Sequence, residues 1–329
     1  MELKNNPDNF WPGKSVLITG SSGFIGRHLC SRLKALKAKV FEFDNSLGPR
    51  YDVTMIEGID SELRMSKHNV IIHLAANSGV EASRYDAYEA HNLNILGTLN
   101  ILQAALQVKP SMPVVIASSN HIYGDHGGAP TTEDAALRRL DTYSASKICA
   151  DYLARSYAHD AKLPVTIMRN TNCYGPDDPH LDHIIPSTIK SLQRNFSPIL
   201  RSSGLTRKSY LHVSDVVDAY LLATQYQMEN ETICGEVFNV SDTSISAIDL
   251  VNLIREYLDK PDVEIKFKED PDFHMGQVDE NLDSSKIRAL GWRPKHTLYT
   301  GIMETAQWMK ENKAVEVMSR TLPGYNKTG

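Results

Sequence analysis

Residues 15–26 read Ser-Val-Leu-Ile-Thr-Gly-Ser-Ser-Gly-Phe-Ile-Gly. The Val-Leu-Ile core of this segment is typical of a buried strand, and the glycines at 20, 23 and 26 predict a tight turn that opens a helix. Glycines let the backbone approach a pyrophosphate closely, while free amides and the helix dipole face the anion. The spacing therefore predicts a dinucleotide site, although three glycines can also serve a tight connection alone.

A carboxylate follows the next predicted strand at a distance that suits a dinucleotide site. Asp44 lies eighteen residues beyond Gly26, where it can accept hydrogen bonds from both hydroxyls of the adenosine ribose. The same charge would repel the extra phosphate of NADP, so the pattern favours NAD. Asp44-Asn45 could alternatively do no more than end a strand. We expect Asp52 and Val53 to lie near the adenine.

From Lys14 to about Asn172 the chain alternates short apolar runs with longer amphipathic stretches, the pattern of repeated β-α-β units. Right-handed crossovers place the helices of such units on both faces of a sheet. We therefore predict an α/β fold with a Rossmann-type doubly wound parallel sheet. The predicted strands are Ser15–Thr19, Lys39–Phe43, Val70–Leu74, Val114–Ser118 and Pro164–Arg169.

After Asn172 the segment Cys-Tyr-Gly-Pro-Asp-Asp-Pro opens a loop, and shorter, less regular elements follow. We predict an NAD-binding domain over residues 1–172 and a smaller α/β substrate-binding domain over residues 173–329. A predicted helix near Tyr210–Ala223 and a predicted strand near Val237–Asn239 indicate that the chain rejoins the first domain at about residues 209–240.

Three motifs, in their order and spacing, resemble the extended short-chain dehydrogenase/reductase family of nucleotide-sugar epimerases and dehydratases. They are Thr19-Gly-Ser-Ser-Gly-Phe-Ile-Gly, His73-Leu-Ala-Ala and Asn94-Ile-Leu-Gly-Thr. The resemblance implies that Asn94 fixes the sheet and the active-site backbone. The cofactor residues that it implies are Gly20, Gly23, Phe24, Ile25, Gly26, Asp44, Asn45, Asp52, Val53, Leu74, Ala75, Ala76, Asn94, Tyr143 and Lys147.

Tyr143-Ser-Ala-Ser-Lys147 places a phenol and an ammonium four residues apart on a predicted helix, hence on one face. A neighbouring cation, together with the positive nicotinamide of NAD⁺, stabilises a phenolate. It would lower the tyrosine pKa from about 10 and make Tyr143 a usable base. Without the glycine motif, this spacing is more typical of a solvated helix face.

Ser118-Ser-Asn-His-Ile-Tyr-Gly resembles the family's S-S-x-x-V-Y-G segment. The resemblance implies that Ser119 hydrogen-bonds the reacting oxygen of a nucleotide-diphosphate sugar, whereas a strand-end serine could also cap the local backbone. It further implies that Tyr143 takes the C4 hydroxyl proton while hydride leaves the same carbon for NAD, giving a 4-keto sugar. An epimerase then returns the hydride to the other face, and this is the activity we predict.

The two residues after Ser119 bear on the alternatives. In the family's 4,6-dehydratases an acidic pair occupies these positions, whereas this chain has Asn120 and His121. Asn120 cannot act as an acid, but His121 can act as a base near neutral pH or as a supporting hydrogen-bonding group. Three alternatives stay open: a dehydratase similar to CDP-glucose 4,6-dehydratases, a net dehydrogenase similar to uronate dehydrogenases, and a non-catalytic NAD-binding regulator.

Further motifs resemble the family's substrate segments. Arg169-Asn-Thr-Asn-Cys-Tyr-Gly-Pro implies that Asn172 hydrogen-bonds the diphosphate, and Arg207-Lys-Ser-Tyr-Leu-His-Val implies that Arg207 or Lys208 grips a phosphate. His274 lies near the place of a phosphate-binding arginine in many members. The predicted substrate residues are Ser119, Asn120, Asn172, Arg207, Lys208 and His274. The resemblance also implies a homodimer through a four-helix interface that includes the Tyr143 helix.

The 329 residues carry a formal net charge of -5, which gives no electrostatic reason to expect nucleic acid as a partner. No apolar run approaches membrane-spanning length and the first residues lack a signal-peptide core, so we expect a cytoplasmic protein without a membrane partner. The four cysteines show no C-x-x-C spacing, and His180-x-x-His183 is interpreted as part of a polar loop. No metal site is therefore predicted.

Overall fold

The computed structural model describes residues 7–230, 234–268 and 279–312. The strands are β1 (Ser15–Thr19), β2 (Lys39–Phe43), β3 (Val70–His73), β4 (Val114–Ser119), β5 (Val165–Asn170), β6 (Asn172–Tyr174), β7 (Ile199–Leu200), β8 (Arg207–His212), β9 (Glu236–Val240), β10 (Thr243–Ser246) and β11 (Lys266–Phe267). The α-helices are α1 (Pro7–Phe10), α2 (Phe24–Ala35), α3 (Ile56–Met65), α4 (Val80–Tyr85), α5 (Ala87–His91), α6 (Gly97–Val108), α7 (Thr142–Asp160), α8 (Ile184–Gln193), α9 (Val213–Glu229), α10 (Ala247–Tyr257), α11 (Ser285–Ala289) and α12 (Leu298–Glu311). Short 3-10 turns cover Asn45–Leu47, Pro49–Tyr51 and Asn120–Tyr123, and a π-helical turn covers Asn92–Leu96.

A six-stranded parallel sheet in the order β2-β1-β3-β4-β5-β9 forms the centre of the fold. Strands β1 and β3 are buried at every residue, because helices cover both faces of the sheet. One core cluster includes Leu29 of α2 and Val217 of α9, and a second includes Ile59 of α3 and Ile101 of α6. The predicted Rossmann-type doubly wound sheet is confirmed.

A smaller sheet lies where the parallel strands end. Strand β6 pairs in parallel with β8, and β8 pairs antiparallel with β10. A third core cluster forms there, with Ile189 of α8, Leu250 of α10 and Ile302 of α12. Strand β9 then lies beside β5 in the main sheet. The division into domains at residue 172 stays a prediction.

One predicted element begins at the wrong residue. We predicted a helix from about Tyr210, but Tyr210–His212 completes β8 and α9 begins at Val213. The reason is that Tyr210 has a strand partner on each side, Asn172 on β6 and Thr243 on β10. Two hydrogen-bonded ladders outweigh the local helical pattern.

The topology gathers polar residues at one edge. Ser119 ends β4 and is paired with Asn170 at the end of β5, two residues before Asn172 opens β6. Carboxyl ends of parallel strands are where ligands bind in open α/β sheets. Among the described helices, none combines the length and the apolar composition needed to cross a membrane.

Candidate active site

The glycine turn after β1 is packed too tightly for side chains. Gly20 has a φ of +67°, and a Cβ there would lie 2.6 Å from the backbone nitrogen of Ala75. A Cβ on Gly26 would lie 2.2 Å from the Gly20 carbonyl oxygen. The close approach sets the amino end of α2 at the carboxyl edge of the sheet. Its first amides therefore suit an anionic pyrophosphate.

Asp44 follows β2 beside this turn. Its Oδ2 accepts a hydrogen bond of 3.1 Å from the Ser22 amide, and its Oδ1 accepts one of 3.0 Å from the Ser46 amide. Burial alone would raise the pKa of Asp44, but the hydrogen bonds from Ser46 and Ser22 outweigh it and lower the pKa. The carboxylate is therefore ionised at neutral pH, which suits ribose hydroxyls and opposes the phosphate of NADP.

A cavity of about 230 Å³ lies between the glycine turn, the end of β2 and the loop after β3. Its lining includes the predicted cofactor residues Gly20, Gly23, Asp44, Asn45, Asp52, Val53, Leu74, Ala75 and Ala76. Sequence reasoning missed Ser22, Phe43, Tyr51 and Leu93, which also line it. Each lies within one or two positions of a predicted residue in the sequence, and this proximity could have indicated that it lines the same cavity. Phe24, Ile25 and Gly26 belong to the first turn of α2 and are not among the lining residues.

Asn94 acts on the backbone around the site. Its Nδ2 donates to the Asn77 carbonyl at 3.0 Å and to Ser146 Oγ at 2.8 Å, and its Oδ1 accepts from the Asn77 amide at 2.8 Å. Ser146 lies on α7, so Asn94 ties the loop after β3 to the helix that carries Tyr143. It does not line the cavity, and this geometry is that of a positioning residue.

Ser119, Tyr143 and Lys147 meet beside the carboxyl end of β4. Tyr143 lies in the first turn of α7, is 7 % exposed, and is close enough to Ser119 for that side chain to lower its pKa. The Ser119 Oγ accepts a hydrogen bond of 3.2 Å from the His121 amide, so it also caps the local backbone. Lys147 lies one turn later, and its Nζ donates to the Ala117 carbonyl at 2.9 Å. The predicted helix is confirmed, and all three side chains are buried.

The predicted electrostatic effect of Lys147 on Tyr143 is not found. Burial raises the pKa of Tyr143, and the hydrogen bond with Ser119 opposes that rise only in part. Burial lowers the pKa of Lys147 to about 8, and its ammonium is directed to Ala117. The prediction that Lys147 lowers the tyrosine pKa is therefore wrong for this arrangement, because desolvation dominates. The positive nicotinamide of bound NAD⁺ is therefore the charge left to favour the phenolate form of Tyr143.

A buried ion pair continues the face of α7 that carries Tyr143 and Lys147. Asp151, one turn beyond Lys147, accepts from Arg169 Nε at 3.0 Å, from a second Arg169 nitrogen at 2.8 Å, and from Ser118 Oγ at 2.9 Å. Asp151 also raises the pKa of Lys147 against the larger effect of burial. Sequence reasoning missed Asp151, although its spacing four residues beyond Lys147 was visible.

Asn120 and His121 place two unsatisfied polar atoms next to Ser119. Among the described residues, Asn120 Nδ2 and His121 Nδ1 are buried without a hydrogen-bond partner. The His121 ring lies edge-on to Tyr143, with 5.8 Å between centroids. Burial lowers the pKa of His121, although Glu280 opposes this, so the imidazole is neutral. Such atoms suit sugar hydroxyls, since burying them unpaired costs free energy.

Asn172 and Lys208, both predicted as substrate residues, hydrogen-bond the same carboxylate. Glu280 accepts from Lys208 Nζ at 2.9 Å through Oε1, and from Asn172 Nδ2 at 3.0 Å through Oε2. The Ser209 amide also donates to Oε2 at 3.2 Å. Glu280, which is 8 % exposed, was not predicted from the sequence. It lies far along the chain from its partners, and no spacing indicated the contact.

Arg207 points elsewhere. Its guanidinium donates to the Ser244 carbonyl, and the residue is exposed, because neighbouring residues of a strand face opposite sides. Lys208, and not Arg207, is therefore the cation that binds Glu280 together with Asn172. The predicted substrate residue His274 lies outside the described residues.

These features fit a dinucleotide and a dry reaction site. The glycine turn suits a pyrophosphate and Asp44 suits ribose hydroxyls. The buried Ser119 and Tyr143 lie beside the carboxyl end of β4, the edge of the sheet where such a ligand would bind. A buried hydroxyl pair of this kind can move a proton to or from a sugar oxygen.

The family model described as "NAD dependent epimerase/dehydratase family" matches residues 16–241. A dTDP-D-glucose 4,6-dehydratase from Bos taurus is 26 % identical over 332 residues, which cover 93 % of this chain and 91 % of the relative. A UDP-glucose 4-epimerase from Thermotoga maritima, solved with UDP-glucose, has a TM-score of 0.81 at 25 % identity and covers 91 % of this chain and 99 % of its own. A dTDP-glucose 4,6-dehydratase from Streptomyces venezuelae, solved with NAD and TYD bound, has a TM-score of 0.81 at 25 % identity, with 91 % and 98 % covered.

The family model spans well over half of the chain, and the glycine turn and Asp44 meet the needs of its cofactor. The chain therefore belongs to the NAD dependent epimerase/dehydratase family, and it is an enzyme with NAD as its cofactor.

Proposed function

We propose that the protein is a nucleotide-sugar epimerase that acts through transient oxidation at C4. The observation that carries the proposal is the pair of groups beside Ser119 and Tyr143. They are an amide, Asn120, and a neutral imidazole, His121. Dehydration needs an acid for the leaving hydroxyl, whereas epimerisation needs only the base that took the first proton to return it.

The buried hydroxyls divide the proton chemistry between them. Tyr143, as phenolate, takes the proton of the C4 hydroxyl, and Ser119 holds the same oxygen by a hydrogen bond. NAD, when bound, would supply the hydride acceptor for the oxidation at C4 and the hydride donor for its reversal. Tyr143 then gives its proton back to the inverted oxygen. Lys147 stays charged below about pH 8, and the positive nicotinamide of bound NAD⁺ would supply the charge that favours the phenolate.

The sequence of steps balances without further reagents. The C4–H and O–H bonds break to give a ketone, and they re-form on the opposite face, so the sugar is neither oxidised nor reduced overall. Asn120 and His121 can hydrogen-bond neighbouring sugar hydroxyls through the atoms that lack partners among the described residues. We also propose that Asn172 and Lys208 hold the diphosphate, consistent with relatives solved with UDP-glucose and with TYD.

A 4,6-dehydratase is the second candidate, because one observation favours it. His121 is a buried neutral imidazole with an unpaired nitrogen close to Tyr143, and such a group can remove the proton at C5. The bovine and Streptomyces relatives also carry this activity in their names. The missing element is an acid for the C6 hydroxyl, since Asn120 cannot supply a proton.

The test is product analysis with UDP-, dTDP-, CDP- and GDP-sugars and with NAD supplied in an amount equimolar to the sugar. The proposal expects a stereoisomer of the substrate with no net NADH. A 4-keto-6-deoxy product would establish the dehydratase instead, and stoichiometric NADH would establish a net dehydrogenase. Binding of NAD without turnover of any sugar would support a regulator. The double variant Asn120→Asp with His121→Glu introduces the acidic pair of the family's 4,6-dehydratases. If this pair decides between epimerisation and dehydration, the variant should form more of the 4-keto-6-deoxy product.

A further inference from the structure

We propose that His212, His296 and Glu304 form a binding site for a divalent transition-metal ion of the Zn²⁺ type. His212 ends β8, His296 lies just before α12, and Glu304 lies within α12. One potential ligand atom from each residue lies within 4.8 Å of the other two. Two imidazoles and a carboxylate are a donor set that zinc takes in proteins, with water as the fourth ligand.

The measured separations match a common metal centre. Glu304 Oε2 is 3.5 Å from His212 Nε2 and 3.4 Å from His296 Nε2. Zinc binds nitrogen and oxygen at about 2.0–2.1 Å, and a tetrahedral angle then places two ligand atoms about 3.3–3.4 Å apart. The two Glu304 contacts are therefore within a few tenths of an ångström of this spacing. The His212 and His296 rings have centroids 4.0 Å apart and would have to separate by about 1 Å for both nitrogens to bind one ion.

The burial of His212 supports a metal site independently of these distances. Its side chain is 1 % exposed, yet neither ring nitrogen has a hydrogen-bond partner among the described residues. Leaving two ring nitrogens buried and unpaired costs free energy, and a bound ion would recover part of it.

Asp215 fixes the second imidazole as a metal ligand requires. Its Oδ2 lies 3.0 Å from His296 Nδ1, and it also accepts from the backbone amides of Lys295 and His296. A carboxylate on Nδ1 sets the tautomer, so that Nε2 carries the lone pair, and this Nε2 is the atom that faces Glu304. Asp215 is buried, whereas Glu304 is half exposed and opens the cluster to ions from solvent.

The ion would connect α12 to the end of β8. Strand β8 carries Lys208 and pairs with β6, which carries Asn172. Bound metal would thereby stabilise the small sheet without taking part in the reaction. The chain offers a comparison cluster, His180, Asp182 and His183, whose ligand atoms also lie within 4.8 Å of one another. That cluster is more exposed and lacks a buried, unpaired imidazole.

The experiment uses the full chain without a polyhistidine tag. The protein is stripped with EDTA, equilibrated with Zn²⁺, desalted and measured by mass spectrometry for metal content. We expect about one ion per chain. Glu304→Gln, at a half-exposed position, and His296→Ala should retain at least tenfold less. His180→Ala, the matched control, should retain the wild-type content. Circular dichroism establishes that each variant is folded.

A second readout is independent of catalysis. Zn²⁺ should raise the Tm of the wild type and of His180→Ala but not that of Glu304→Gln, because a ligand stabilises only a native state that binds it. Co²⁺ should give the visible absorption of a tetrahedral site in the same two proteins. Metal content that is unchanged in Glu304→Gln and His296→Ala, or that is absent from the wild type, would overturn the proposal.

Discussion

Glu280 is the residue whose removal tests the proposed diphosphate site most directly. Its carboxylate bridges Lys208 and Asn172, the groups proposed to hold the substrate's diphosphate. A bound diphosphate must displace this carboxylate or bind beside its negative charge. Glu280→Gln removes the charge but keeps an amide oxygen for the Asn172 side chain and the Ser209 amide. We therefore expect tighter binding of nucleoside diphosphates.

The magnitude follows from the contact that is lost. Glu280 is 8 % exposed and holds Lys208 at 2.9 Å. A hydrogen bond to a charged group contributes about 1.5–3 kcal/mol. Since 1.4 kcal/mol is a factor of ten, freeing Lys208 should lower the Kd by roughly tenfold to a hundredfold. Part of this gain is expected to disappear at high salt, because the new attraction is between charges.

The assay is calorimetric titration of UDP, dTDP and CDP into the NAD-loaded enzyme at two salt concentrations. Asp279→Asn is the matched control, since its carboxylate accepts from the Arg207 amide on the exposed side of β8. It should leave the Kd unchanged. Weaker or equal binding of every nucleotide to Glu280→Gln would refute the competition argument and would make Glu280 a ligand-orienting group instead.

Four further outcomes are expected. Tyr143→Phe should lower kcat by about 10²- to 10⁴-fold with NAD affinity unchanged by fluorescence titration, whereas Tyr152→Phe on the same helix, 54 % exposed, should keep full activity. Asp151→Asn removes the negative charge that pairs with the buried Arg169 and should lower the free energy of unfolding, measured with denaturant, by about 3–5 kcal/mol. The control Asp160→Asn, at an exposed position, should change it by less than about 0.5 kcal/mol. Burial lowers the pKa of Lys147 from 10.5 to about 8, so between pH 8 and 10.5 the unfolded chain binds more protons than the folded chain. The free energy of unfolding of the wild type should therefore rise with pH over this range, relative to that of Lys147→Met. If the proposed homodimer uses the Tyr143 helix, Tyr152→Asp should shift the mass measured by light scattering to that of a monomer, and an unchanged mass would exclude this interface.

The cofactor side of the molecule could be predicted well because its signals are local. Strand β1, the glycine turn and the start of α2 lie within twelve consecutive residues, and each requires particular residue types. Strands β1 and β2 have the predicted bounds, although only β1 is buried at every residue and β2, at the edge of the sheet, buries only Phe43. The Tyr143 and Lys147 pair could be placed on one helix face from its spacing alone.

The direction of the Tyr143 pKa could not be predicted in the same way. Spacing indicates that an ammonium is near, but desolvation depends on what other segments cover. Tyr143 and Lys147 are both buried, and Lys147 is turned to the Ala117 carbonyl by the packing of α7 on β4. Burial acts on each group separately and outweighs their mutual effect.

The residues proposed to bind the substrate come from distant segments of the chain, and this explains why Glu280 was missed. Glu280 reaches Lys208 across 72 residues and Asn172 across 108. The spacing of residues in the sequence does not predict such contacts, because they depend on how β6 and β8 pair. The residues proposed for C4 oxidation, Ser119 and Tyr143, lie in segments that resemble the family's motifs, whereas Asn120 and Glu280 lie where the sugar and its diphosphate are proposed to bind. The identity of the product should therefore depend on these substrate-side residues, and substitutions there should change the product before they change the ability to bind NAD.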